Sequence, residues 1–134
     1  MAEDTVVKEQ LTDAMVDAGA ELTQKLDELG LPTNAAFWLF MPDSNEWRLM
    51  FASADVSAKG PRSVYYAISS AMQQLGAKAA AVPLSAVGVL DENAELVRVL
   101  RTVTHAATGI SRIRVMRNVV NGHFIDDALI YRIG

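Results

Sequence analysis

An α+β fold built on one sheet is predicted by three observations. The chain opens on a long helical stripe. Two hairpin signatures, one early and one at the end, supply four strands. Two further helical faces and a short apolar strand lie between them. The element order is α-β-β-α-β-α-β-β: one largely antiparallel five-stranded sheet packed with three helices, in a single globular domain over 1–134.

A chain of 134 residues with 51% hydrophobic and 21% charged residues is ordinary for a globular domain. Cysteine is absent, which excludes disulfides, zinc–thiolate sites and thiol catalysis. The acidic start "MAEDTVVKEQ" lacks the basic and apolar regions of a secretory signal. The longest apolar run, Ala35 to Met41, is far short of the ~20 residues that span a bilayer. A cytoplasmic protein without a membrane partner is expected.

In the first helix, Val7, Leu11, Met15, Ala18, Leu22, Leu26 and Leu29 recur at steps of three and four, as one face of an α-helix requires. Asp4 or Thr5 would cap it, and Gly30-Leu31-Pro32 would end it. Its length would be about 36 Å. Glu9, Asp13, Asp17, Glu21 and Glu28 would face water.

"NAAFWLFMPDSNEWRLMFAS" places two aromatic-rich runs around Pro-Asp-Ser-Asn, a strong turn composition. The first run is apolar on both faces and so predicts a central strand. If Phe40 pairs with Trp47, Trp38 and Trp47 share a core face. "SADVSAKGPRS" reads as a loop. Pro61 then sits in the first turn of the second helix, where its missing N–H costs nothing. Val64, Ile68, Ala71, Met72 and Leu75 form the buried face, and Gly76 ends it. Gly60-Pro61-Arg62 is a weak signal for an anion at the helix start.

Ala86 to Leu90 reads as a short strand. The third helix follows, with Leu96, Val97, Leu100, Val103, Thr104 and Ala107 on one face and Gly109 at its end. His105 would lie near its C-terminus, where the dipole favours a cation.

The last element is a hairpin around Asn121-Gly122. A two-residue turn sets Val120 against His123 and Arg117 against Asp126. Ile113, Val115, Val119, Phe124, Ala128 and Ile130 would form its core face, with Arg117 and Asp126 a structural ion pair at the edge. Asp126 and Asp127 would point to opposite sides. His123 and Asp127 would lie about 13 Å apart along the strand, too far to share a metal ion. No metal, cofactor or catalytic set is therefore expected. Nucleophile elbows, phosphate loops, dinucleotide fingerprints and paired-histidine zinc motifs are also absent.

Charge is uneven. Met1 to Glu46 carries ten acids and two bases, whereas five arginines and no acid lie from Arg98 to Arg117. The leading expectation is a non-enzymatic protein–protein interaction module, a homodimer or a small accessory subunit. Its contact face would hold Arg112, Arg114, Met116, Asp127, Leu129 and Tyr131. A nucleic-acid-binding protein using Arg98, Arg101, Arg112, Arg114 and Arg117 is the alternative. A small hydrolase or ligand-binding enzyme around His105, His123 or Gly60–Arg62 is the third reading.

Overall fold

β1 (Ala35–Met41) occupies the middle of the sheet because both of its faces are apolar and both are covered. The structure, a computed structural model, describes residues 7–134. It is α+β, with a five-stranded mixed sheet. β1 pairs antiparallel with β2 (Glu46–Ser53) on one side and with β5 (His123–Ile133) on the other. β3 (Val87–Asp91) adds to β2 in parallel, and β4 (Ile113–Val120) adds to β5 antiparallel. β3 and β4 are therefore the edges.

One sheet face is covered by α1 (Asp13–Glu28) and α3 (Pro61–Leu75). Leu22 and Leu26 of α1 and Val64 and Ile68 of α3 pack there on Trp38, Phe51 and Tyr131. The other face carries Phe37, Val115, Ala128 and Ile130 and meets Val97 and Leu100 of α4 (Glu95–Val103). Phe40 faces Trp47 across the first hairpin, ring centroids 5.3 Å apart, so both tryptophans enter the same core as expected.

Three helices differ from the sequence expectation, α4 by ending at Val103 where Thr104 to Gly109 was expected to continue it. α1 starts at Asp13, not near Thr5, because Thr12 is extended and its hydroxyl accepts the Met15 amide at 3.2 Å. The helix is thus about 24 Å long. The expected caps Asp4 and Thr5 lie outside the described residues. Within "SADVSAKGPRS", expected to be a loop, α2 (Asp55–Lys59) makes a short helix and brings the number of α-helices among the described residues to four. Gly60, at φ 90°, both ends α2 and precedes Pro61 at the start of α3. Gly76 closes α3 as expected.

Trp38 Nε1 donates to Tyr131 Oη at 2.9 Å, and Tyr131 Oη donates to the Val16 carbonyl at 2.6 Å. α1 approaches the sheet this closely at Gly19. A Cβ there would lie 2.8 Å from Trp38 Nε1 and 2.9 Å from Tyr131 Cε2. Arg132 ties the lower end of α1 to the sheet. It grips the Asp27 carboxylate with two nitrogens at 2.9 and 2.7 Å and donates to the Gly109 and Thr33 carbonyls.

Candidate functional site

The final hairpin turns at Asn121 and Gly122, both in left-handed conformations (φ 49° and 79°), as a two-residue turn requires. Val120 faces His123 as expected. Halfway along, however, Arg117 also adopts a positive φ of 45°, and its pairing with Asp126 is interrupted. This break shifts the side-chain alternation by one.

Below it, Val115, Ala128 and Ile130 face α4, while Arg114, Met116, Asp127, Leu129 and Tyr131 lie on the α1 side. Beyond it, Ile125 enters the α4-side core and His123 reaches Glu95 of α4 at 3.0 Å. Phe124, between them in sequence, and its partner Val119 therefore turn to the α1 side. They were expected in the core. Instead they are 58% and 66% exposed, and Met116 on the same side is 53% exposed.

The expected Arg117–Asp126 ion pair does not form. Asp126 instead lies 3.0 Å from Lys8, and the same ammonium lies 2.9 Å from Asp127. The two aspartates were expected on opposite sides. The interrupted pairing at Asp126 lets both reach one cation. Asp127 is the buried member, 1% exposed, and accepts from Arg114 Nε at 2.5 Å and Nη2 at 2.7 Å. Burial pushes its carboxyl up, but the hydrogen bonds from Arg114 and then Lys8 outweigh this and hold it below the usual range. For Lys8, burial acts downward, and the bonds to Asp127 and Asp126 prevail and raise it.

Lys8 belongs to a non-helical strap, Val7 to Thr12, that crosses the end of the first hairpin. Asn45 holds it at both edges of Lys8: Oδ1 accepts the Glu9 amide at 2.9 Å and Nδ2 donates to the Val7 carbonyl at 3.0 Å. Trp47 Nε1 donates to the Glu9 carbonyl at 2.8 Å. The Lys8 ammonium sits 4.6 Å from the Phe40 ring centroid and 5.8 Å from that of Trp47. Lys8, Glu9, Trp47, Arg114, Met116 and Asp127 line a shallow hollow of about 390 Å³.

Of the expected contact face, Asp127, Leu129 and Tyr131 are buried beneath the strap and α1. Arg112, Arg114 and Met116 remain exposed. The five arginines do not form one stripe. Arg112 pairs with Asp17 at 3.0 Å and Arg114 with Asp127, both on the α1 side. Arg98 and Arg101 lie on α4, against the opposite sheet face, where Arg101 donates to the Gly134 carbonyl at 2.8 Å.

His105 lies beyond the end of α4, not within it, and is exposed. The helix stops at Val103 because Thr104 is extended (φ −155°, ψ 160°). Arg98, Arg101, Asn121, Glu95 and His123 share a polar hollow of about 350 Å³, which neither His105 nor Gly60–Arg62 lines. The Gly60 amide donates to the Val56 carbonyl at 3.0 Å and is not offered to an anion. Among the described residues, no group of three His, Asp or Glu is placed to hold a metal ion. Nor is any helix among them long and apolar enough to cross a membrane.

Lys8, Phe40 and Trp47 were not recognised as neighbours of Asp126 and Asp127 from sequence. Their one sequence signal is Lys8 itself, one of only two bases before Glu46. Comparison with known protein families, with curated proteins and with solved structures finds no match.

Proposed function

We propose that this chain is a non-enzymatic protein–protein interaction module whose contact surface is the outer half of the β4–β5 hairpin. The observation that carries this reading is the cross-strand pair Val119–Phe124, exposed together with Met116 on one side of the β4–β5 hairpin. Apolar side chains grouped in this way mark binding surfaces more often than do single exposed ones.

Among the described residues β4 is an edge, with one side of its backbone open to a further strand. Arg114 and Arg117 lie on that strand and Arg112 just before it, with Arg112 and Arg114 already paired to Asp17 and Asp127. A second β4 laid antiparallel against it would bring like charges together, which is unfavourable. Arg117, which enters no ion pair among the described residues, favours a different protein that brings a carboxylate to the edge, and with it the accessory-subunit form of the reading over the homodimer.

The test compares the wild-type chain with Val119→Asp/Phe124→Asp by pull-down and native mass spectrometry at micromolar concentration. The expected result is a wild-type monomer that retains a partner which the double variant loses. A wild type that retains nothing, or a partner held equally by both proteins, overturns the reading.

A further inference from the structure

Lys8 occupies a built pocket. Its ammonium meets two carboxylates, Asp126 and Asp127, at 3.0 and 2.9 Å, and two aromatic rings, Phe40 and Trp47. Asp127, almost wholly buried, offers Oδ2 to Lys8 and is kept ionised by Arg114, which donates to both of its oxygens and lies 5.6 Å from the Trp47 ring. Carboxylate oxygens satisfy the donors of a primary ammonium, and ring faces attract its charge without requiring a hydrogen bond. The same combination rejects anions, and its aromatic wall accommodates the methylene stem that a bare metal ion lacks.

The walls belong to the sheet, whereas the occupant belongs to the strap. Phe40 and Trp47 lie on β1 and β2 and Asp127 on β5, all anchored by strand pairing, with Asp126 next to it where the β4–β5 ladder is interrupted. The strap is irregular, and five of its six residues, all but Leu11, are exposed. Its polar attachments are the Asn45 and Trp47 hydrogen bonds and Lys8 itself. Met116 lines the same hollow and belongs to the exposed hairpin side.

We infer that the Phe40–Trp47–Asp126–Asp127 pocket is a receptor for a lysine side chain of a partner protein, closed in the free chain by its own Lys8. Displacing the strap would uncover an acidic, aromatic-walled socket beside the apolar hairpin surface. This deepens the interaction reading by naming a side chain that the partner brings. The experiment uses small probes and no partner, so its failure leaves the hairpin surface standing.

Lys8→Ala empties the pocket. n-Butylammonium and Nα-acetyl-lysine amide are then titrated while the Trp47 indole N–H is followed by NMR, with sodium chloride matching the ionic strength. Lys8→Ala is expected to show a saturable Trp47 shift in about the millimolar range, where one small cation in an open site belongs. Wild type at the same concentrations is expected to show none, because Lys8 holds the site at the high effective concentration of a short tether. Adding Asp126→Asn to Lys8→Ala is expected to weaken binding about tenfold, the effect of one charge-assisted hydrogen bond. If Lys8→Ala does not fold, Lys8→Ser, which also clears the stem and ammonium from Phe40, carries the same titration. No saturable shift in a folded variant, or a shift indifferent to Asp126→Asn, overturns the inference. So does a wild-type dimer that Lys8→Ala dissolves, since the occupant would then be a second copy.

Discussion

Asp127, buried on β5, accepts a two-pronged hydrogen bond from Arg114 on the neighbouring strand, at 2.5 and 2.7 Å. Asp126, the next residue, keeps 25% of its side chain exposed and touches only the Lys8 ammonium among the described ion pairs. The two carboxylates therefore differ in energetic weight. Asp127→Ala is expected to lower stability by about 2–3 kcal/mol, the scale of lost hydrogen bonds to charged groups. It should not reach the cost of a stranded buried charge, because Arg114 stays 43% exposed and hydrated. Asp126→Ala is expected to cost less than about 1 kcal/mol. Urea unfolding of the two variants measures the difference, and equal losses would contradict this placement.

The same carboxylate makes stability depend on acid. Its folded pKa is depressed, so the unfolded chain takes up the proton first as pH falls. The contribution is fully present above about pH 4, the ordinary carboxylate value, and is lost as pH falls through the lower folded value. Asp127→Asn should be less stable at neutral pH and should show a flatter acid limb in denaturation curves taken across that window.

Tyr131 acts at the other end of the scale. Burial raises its phenol above the ordinary 10.0, with the Trp38 hydrogen bond opposing the shift. A raised folded pKa gives stability that is complete below the unfolded value, about pH 10, and is lost as pH rises through the folded one. Tyr131→Phe should remove that part of the alkaline loss. At neutral pH it should cost about 1–3 kcal/mol, because Trp38 Nε1 is left buried without its acceptor.

Gly19 reverses the usual helix rule. In an exposed helix interior, alanine would be favoured over glycine by about 1 kcal/mol. Here the added methyl would press on Trp38 and Tyr131 inside a filled core. Gly19→Ala is expected to destabilise by about 1–3 kcal/mol, the range for overpacking. Thermal unfolding that shows a stabilised variant would mean α1 stands further from the sheet.

The alternation break at Arg117 can be tested from both sides. Val119→Thr and Phe124→Ser should change stability by no more than about 0.5 kcal/mol, as surface substitutions do. If the strand alternated without a break, both would be core changes costing several times that. Arg117→Gly should be neutral to stabilising by up to about 1 kcal/mol, because glycine adopts the observed positive φ without strain. Chemical denaturation of the three variants decides the matter.

What the sequence determined by itself is what near neighbours along the chain control. Pro42–Asn45 and Asn121-Gly122 reverse the chain through their own backbone preferences, and the second turn sets Val120 against His123. The doubly apolar run Ala35–Met41 names the central strand, and Pro61 and Gly76 bound a helix by local chemistry. Tertiary structure decided the rest. Thr12 rather than Thr5 begins α1, because Val7 to Thr12 is drawn across the hairpin by Asn45 and Trp47. A stripe of helical period cannot reveal such a competitor. Arg117 in a left-handed conformation moved Val119 and Phe124 outward and brought Asp126 beside Asp127, since one break inverts every later position of a strand. Lys8 and Asp127 are 119 positions apart, and Asp27 and Arg132 are 105 apart. Such ion pairs follow from how helices and strap dock on the sheet, and no local pattern of residues encodes them.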